Sequence, residues 1–168
     1  FHTSTKWRYL VTLLVFGVIS EVPFDMCTSA RFVEINWNNI MFTLALVLAM
    51  IWLIDVLKEK MEALPKALWY FVSFLIVTVL CFAAMNLGLD YEHHAVLIGY
   101  FYYIFHDRQA LAIPFSYLSI FKEPWALLGF GLTLTYNGER GKQNKWFNYL
   151  FYPVHLLILG IIRMCLKI

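Results

Sequence analysis

The chain has 168 residues, of which 61% are hydrophobic and 18% aromatic, and its mean hydropathy is +0.67. Soluble domains contain only about 45–50% apolar residues, so this composition excludes an ordinary water-soluble domain and indicates an integral membrane protein. The net charge of +2 is small and the basic residues are scattered, so no nucleic-acid partner is expected. The three cysteines form no CxxC or Cys/His spacing, which predicts neither a zinc site nor a disulfide framework.

Seven apolar segments follow one another along the chain, and a spanning helix needs about 20 such residues. They occupy residues 7–22, which Pro23 closes, then 40–57, 67–87, 91–105, 110–121, 124–136 and 146–166. The fifth and sixth are short, and they form either two short or re-entrant helices or one interfacial excursion. Lipid offers the backbone no hydrogen-bond partners, so runs of this length must be helical. We predict an all-α, polytopic transmembrane helical bundle of six to seven helices, with residues 1–168 as a single domain.

The distribution of lysine and arginine predicts the orientation of this bundle. If all seven segments cross, one side holds Lys6, Arg8, Lys58, Lys60, Lys66, Arg108, Arg140, Lys142 and Lys145, and the other holds Arg31, Lys122, Arg163 and Lys167. The first side is therefore expected to be cytoplasmic. Merging the two short segments into one crossing would place the last three residues of the first group outside, so the charges favour seven crossings.

Two carboxylates, Glu21 and Asp25, flank Pro23 at the predicted outer boundary of the first helix. They either hold a substrate amine and orient a base, or they are interfacial residues in contact with water. The asparagines that follow are expected to cap the second helix, because asparagine is a preferred N-cap residue. Asp55 lies one turn before Lys58, which indicates ion pairing or snorkelling to the cytoplasmic interface.

A second group of polar residues surrounds the junction of the third and fourth helices, where Asp90 and Tyr91 precede His93 and His94. Adjacent histidines point in different directions on a helix, so we predict no metal site there. The segment with Asn137 and the following glycine is typical of a tight turn. Its basic residues, Arg140 and Lys142, either set the topology or bind the phosphates of a cytosolic donor such as coenzyme A.

His155 is the strongest candidate for chemistry, because it lies about ten residues into the last apolar segment. A histidine at membrane depth needs a polar partner or a water-filled cavity. Pro153, two residues earlier, removes a backbone hydrogen bond and frees the carbonyl of Tyr149. An imidazole titrates near neutral pH, so His155 is predicted to be a general base, and the alternative is an interhelical hydrogen bond.

Several short motifs occur in an order that resembles the TraX family, which is named for the F-pilin N-acetylase of conjugation. They are Phe1-His2-Thr3, Arg8-Tyr9-Leu10, Ile19-Ser20-Glu21-Val22-Pro23-Phe24-Asp25, Phe42-Thr43-Leu44, Asp90-Tyr91, Tyr136-Asn137-Gly138 and Phe151-Tyr152-Pro153-Val154-His155. The resemblance covers essentially the whole chain. It implies a membrane acyltransferase that moves an acetyl group from acetyl-CoA, the donor substrate, to an amine or hydroxyl acceptor. It also implies the cytoplasmic (inner) membrane of a bacterium as the location.

That reaction gives the candidate residues their expected roles. His155 is the expected base, with Glu21 and Asp25 as further catalytic candidates that orient it or bind a cationic amine. The expected substrate-binding residues are Asp90, Tyr91, Tyr152, Asn137, Arg140 and Lys142. The expected partners are the lipid bilayer, an acyl acceptor (a pilin-like peptide, a sugar or a lipid headgroup) and other membrane proteins. A small-molecule transporter and a non-catalytic membrane subunit of a larger complex are the alternatives.

The chain departs from the family pattern in two places. The family begins with further helices that carry an Asp-His pair and a Gly-Arg-x-Ala-Phe-Pro stretch, so we expect this chain to lack N-terminal helices. The family has a glycine after the Asp-Tyr pair, whereas Glu92 follows Tyr91 here.

Overall fold

The computed structural model describes residues 6–61, 65–135 and 144–166, and these residues form seven helices without any strand. The helices are α1 (Lys6–Ser29), α2 (Ile40–Lys60), α3 (Lys66–Asn86), α4 (Glu92–Ile104), α5 (Gln109–Ser119), α6 (Ala126–Leu134) and α7 (Lys145–Leu166). The predicted all-α transmembrane bundle is therefore confirmed. Each of the seven apolar segments became one helix, and most ends agree within two or three residues.

Four of these helices, α1, α2, α3 and α7, are long and apolar enough to cross a bilayer. The other three contain 13, 11 and 9 residues. At a rise of about 1.5 Å per residue they are shorter than the hydrocarbon core, which is about 30 Å thick. The protein is an integral membrane protein with four candidate spans in its described part, and seven crossings stay a prediction.

Successive helices run in opposite directions. At one end of the bundle Lys6 of α1 meets Asp55 of α2, and Lys58 lies over the ring of Trp69 of α3. We call this the basic end, since it carries Lys6, Lys58, Lys60 and Lys66. The opposite end carries Glu21, Asp25 and Asp90, and we call it the carboxylate end.

The short helices α4, α5 and α6 also run in alternating directions between the two ends. The ring of His94 at the start of α4 bonds to the carbonyl of Ser119 at the end of α5, so that α5 runs back to the carboxylate end. Tyr102, near the end of α4, bonds to Thr133 near the end of α6. Consequently α6 ends at the basic end, where α7 begins. This order is the one expected from the distribution of lysine and arginine.

The interior forms around α2, because this helix packs against three others. Met50 and Ile54 are fully buried and pack with Val77 of α3 and Val96 of α4. On the other side Leu13 of α1 packs against α2. In lipid such contacts stabilise a bundle through close van der Waals packing rather than through water exclusion.

The last helix, α7, packs parallel to the first. Phe16 stacks on Tyr149 with ring centroids 5.0 Å apart, and Arg163 donates a hydrogen bond of 2.6 Å to the carbonyl of Cys27. Gly160 lies between these points, where a Cβ atom would overlap the Cβ of Met26 at 2.7 Å and contact the backbone of α1 tightly at 3.2 Å. A small residue is what permits two membrane helices to approach this closely.

The prediction that Pro23 closes the first helix is wrong, since α1 continues through it to Ser29. Proline removes one backbone hydrogen bond from a helix. The continued turns, however, bury Phe24, Asp25 and Met26, all of which are at most 9% exposed. Any non-helical path at this depth would leave more backbone groups unpaired, so packing and lipid together outweigh the cost of the proline.

We predict that Gly160→Val lowers the free energy of unfolding by about 1–3 kcal/mol, because a larger side chain forces α7 away from α1. Thermal unfolding of the detergent-solubilised protein measures this change. Gly129→Val is the matched control, because a Cβ atom at Gly129 meets nothing within 4 Å. Equal stability of the two variants would contradict the close approach of α1 and α7.

Candidate functional site

A buried asparagine, Asn39, organises the carboxylate end. It is 0% exposed, and its side-chain oxygen accepts a bond of 3.0 Å from the amide of Met41, which caps α2. Its side-chain nitrogen donates 2.8 Å to the carbonyl of Gly17 and also to the carboxylate of Glu21. The predicted asparagine cap is confirmed at this position. The same side chain also joins α1 to α2, which sequence reasoning did not foresee.

Tyr152 of α7 reaches the same cluster. It lies near the first turn of α2, and the carboxylates of Glu21 and Asp90 are close enough to interact with its hydroxyl electrostatically. Three of the predicted site residues, from α1, from α7 and from the junction of α3 and α4, therefore lie around the first turn of α2.

Backbone pairing holds Asp90 in this cluster. The amide of Asn38 donates 2.7 Å to the carbonyl of Gly88, and the amide of Asp90 donates 2.9 Å to the carbonyl of Asn38. Thr43 adds a bond of 2.9 Å from its hydroxyl to the carbonyl of Asp90. Gly88 has a φ of +58°, and a Cβ atom there would overlap the carbonyl of Asn36, so only glycine fits.

The environment of Asp90 affects its ionisation. Burial raises the pKa of the Asp90 carboxyl above its ordinary value, although a hydrogen bond from the amide of Tyr91 opposes the shift. A carboxyl with a raised pKa can take up a proton more readily than an exposed one. Tyr91 itself is 52% exposed, with a φ of 60°, so of this predicted pair only Asp90 faces the cluster.

Asp25 lies one turn beyond Glu21 and is only 1% exposed. One carboxylate oxygen accepts a bond of 2.8 Å from the amide of Glu34, whereas the other has no hydrogen-bond partner among the described residues. The interpretation of Asp25 as a water-exposed interfacial residue therefore does not describe its position. An unpaired buried acceptor is costly, and it is able to accept a hydrogen bond from a bound molecule.

His155 lies beside this cluster rather than inside it. Its Nδ1 is 2.8 Å from the carbonyl of Phe151, and its ring is stacked on Phe151 at 5.0 Å and lies edge-on to Tyr152 at 5.6 Å. A carbonyl oxygen can only accept, so Nδ1 carries the proton and Nε2 of the neutral ring keeps its lone pair. No hydrogen bond among the described residues joins His155 to Glu21, Asp25 or Asp90, and Tyr152 is its link to them.

The remaining predicted residues, Asn137, Arg140 and Lys142, lie outside the described residues. Within residues 6–61, 65–135 and 144–166, no three His, Cys, Asp or Glu side chains converge as metal ligands would.

Sequence reasoning missed the environment of Asp55 at the basic end. Its carboxylate pairs with Lys6, 49 residues away, at 2.5 Å, and accepts 2.7 Å from the hydroxyl of Tyr103. Pairing was predicted for Asp55, but with a neighbour on its own helix. This carboxylate forms part of the wall of a cavity of about 800 Å³ that opens at the basic end. The sequence carries no local signal for either feature, since the contributing helices are distant along the chain.

Comparison with known proteins now decides the family. The model of the TraX family, described as TraX protein, matches residues 1–163 of this chain. The chain belongs to the TraX family. The "Probable fimbrial assembly protein FimC, serogroup H1" of Dichelobacter nodosus is similar to this TraX protein, with 26% identity over 190 aligned residues that cover 99% of this chain and 76% of the relative. No solved structure matches significantly. The predicted family resemblance is confirmed.

Replacing the central asparagine of the carboxylate end should destabilise this TraX protein. We expect Asn39→Ala to cost about 2–4 kcal/mol, because it removes the cap of α2 and leaves the Gly17 carbonyl and Glu21 without their donor. Unfolding of the purified protein in detergent measures the loss. Asn86→Ala is the control, since Asn86 is exposed and, in the part of the chain that the structure describes, bonds only within its own helix. An unchanged midpoint for Asn39→Ala would contradict the role of this residue.

Proposed function

We propose that this TraX protein is a membrane-embedded acetyltransferase that moves an acetyl group from acetyl-CoA to an amine or hydroxyl of an acceptor. The observation that carries the proposal is the grouping of Glu21, Asp90 and Tyr152 around the first turn of α2, with the His155 ring edge-on to Tyr152 at 5.6 Å. Polar and titratable groups that converge inside a membrane protein are costly, so they indicate a site rather than a packing solution.

The reaction makes specific demands on these groups. The acceptor nitrogen or oxygen attacks the thioester carbonyl carbon, which forms a C–N or C–O bond and breaks the C–S bond. The acceptor proton passes to a base, and the departing coenzyme A thiolate takes up a proton. Nε2 of His155 has the free lone pair that a base needs, and an imidazole suits this role near neutral pH.

The carboxylates and the tyrosine would act on the substrates. Glu21, Asp25 and Asp90 give the carboxylate end an acidic character that attracts a cationic amine before it loses its proton. The Tyr152 ring lies edge-on to the His155 ring at 5.6 Å, and a tyrosine O–H can stabilise the negative charge that develops on the thioester oxygen. Loss of either group would slow the reaction without preventing membrane insertion.

The donor would enter from the basic end. Coenzyme A is a phosphorylated molecule of the cytosol, and lysine and arginine favour the cytoplasmic side of a membrane. The helices α6 and α7, which flank Arg140 and Lys142, end and begin at this end of the bundle. With this orientation, we propose that the protein lies in the cytoplasmic membrane of a bacterium with its carboxylate end outward.

The class of acceptor is supported by the relative, whose description is that of a fimbrial assembly protein. A pilin-like peptide with a free N-terminal amine would suit the acidic carboxylate end. The same description favours a second candidate function, a non-catalytic membrane subunit of an assembly complex. Transfer of labelled acetyl from acetyl-CoA by the purified protein separates the two, because an assembly subunit has no turnover.

We predict that His155→Ala lowers the rate of acetyl transfer by about 10²–10⁴-fold, the range typical of a lost general base. Membrane insertion should be unchanged, since the ring bonds only within its own helix among the described residues. Labelled acetyl transfer in proteoliposomes measures the rate. His93→Ala, on α4, is the matched control and should retain activity. Full turnover by His155→Ala would refute its role as the base.

For the donor, we predict that Arg140→Ala combined with Lys142→Ala raises the KM for acetyl-CoA by about tenfold, which corresponds to about 1.4 kcal/mol of lost binding. The value of kcat should change less, because these residues would contact phosphates rather than the reacting carbonyl. Steady-state kinetics measure both constants. An unchanged KM would mean that the two residues only set the topology.

A further inference from the structure

A cavity opens at the basic end of the bundle, away from the carboxylate end. It has a volume of about 800 Å³ and lies between α2, α3 and α4. Ligand pockets commonly have volumes of about 300–1,000 Å³, so a molecule of nucleotide size would fit.

Aromatic side chains form much of its wall. Trp69 and Tyr70 come from α3, whereas Tyr102 and Tyr103 come from α4. Trp69 and Tyr70 meet edge to face, with centroids 4.7 Å apart. Flat aromatic faces of this kind bind a planar heterocyclic base by stacking, which is favourable for any base because each has a π-face.

Two lysines stand at the rim, on either side of the connection between α2 and α3. Lys58 lies in the last turn of α2 with its ammonium group 5.6 Å from the centroid of the Trp69 ring, and Lys66 begins α3. Both are exposed and so can change partner at little cost. A ligand that carries both phosphate groups and a planar ring would suit a cavity in which ammonium groups lie beside aromatic side chains.

Two acidic residues lie among the described residues that line the cavity. Asp55 pairs with Lys6 at 2.5 Å and accepts a hydrogen bond from the hydroxyl of Tyr103. Asp107 lies on the turn after α4 and contacts the adjacent His106 at 2.8 Å. The Lys6–Asp55–Tyr103 contact ties α1, α2 and α4 together beside the cavity.

We propose that this cavity binds the adenosine bisphosphate part of coenzyme A, with the adenine ring among the aromatic side chains and the phosphates at Lys58 and Lys66. This assignment rests on the proposed acetyl transfer and adds to it a place for the donor on α2, α3 and α4.

The test measures binding of adenosine 3′,5′-bisphosphate, which lacks the thiol and its arm, to the full chain in lipid nanodiscs by calorimetry. Lys58→Ala combined with Lys66→Ala should raise its Kd by about tenfold or more, because two charge-assisted contacts are lost. The matched control is Lys60→Ala combined with Lys122→Ala. It removes the same charge outside the cavity and should leave the Kd within about twofold.

A second variant tests the aromatic wall. Tyr70→Leu, at an exposed position, should weaken binding of the bisphosphate several-fold and leave binding of inorganic pyrophosphate unchanged. Equal losses of affinity for the lysine pair and its control, or tighter binding of ATP than of coenzyme A, would overturn the assignment.

Bisphosphate binding without any acetyl transfer would refute the proposed function alone. Acetyl transfer that is insensitive to the lysine pair would refute the cavity assignment alone.

Discussion

The carboxylate end depends on a single buried amide group. The side chain of Asn39 caps the first turn of α2 with its oxygen, and its nitrogen donates hydrogen bonds to Gly17 and Glu21 on α1. A carboxylate inside a membrane bundle is costly unless it has donors, and Asn39 supplies them where water is scarce. Because this contact fixes the distance between α1 and α2, it also fixes where Tyr152 and Asp90 can approach. The geometry of the candidate site follows from one satisfied polar contact.

The two ends of the bundle have opposite chemical character, and both are held by contacts between residues far apart in the sequence. Asp55 meets Lys6 at the basic end, and Asn38 pairs with the backbone of Gly88 and Asp90 at the carboxylate end. The apolar core of α2 separates them. Under the proposed function this separation is useful, because a phosphorylated donor and a cationic acceptor would be attracted to different ends of one bundle and would meet only near α7.

The local sequence predicts most of the fold and less of the candidate site. Apolar runs gave the seven helices, since lipid permits few alternatives to a helix, and the asparagine before α2 gave its cap. The prediction that Pro23 ends the first helix is wrong because the tendency of proline to end a helix is local. The burial of Asp25, which outweighs this tendency, comes from tertiary packing. The ion pair of Asp55 with Lys6 could not be predicted for a similar reason. Several cations lie near Asp55 along the sequence, and only the packing of α1 against α2 selects Lys6.

The parallel packing of α7 on α1 has a consequence for biosynthesis. Translation proceeds from the N-terminus, so α1, α2 and α3 enter the membrane well before the ribosome has made Tyr152 or Gly160. Until then the face of α1 that α7 covers is occupied by lipid or by another helix. The cluster around Glu21 is therefore completed only when the last helix is released and displaces this temporary neighbour, and a nascent chain has no finished site before that step.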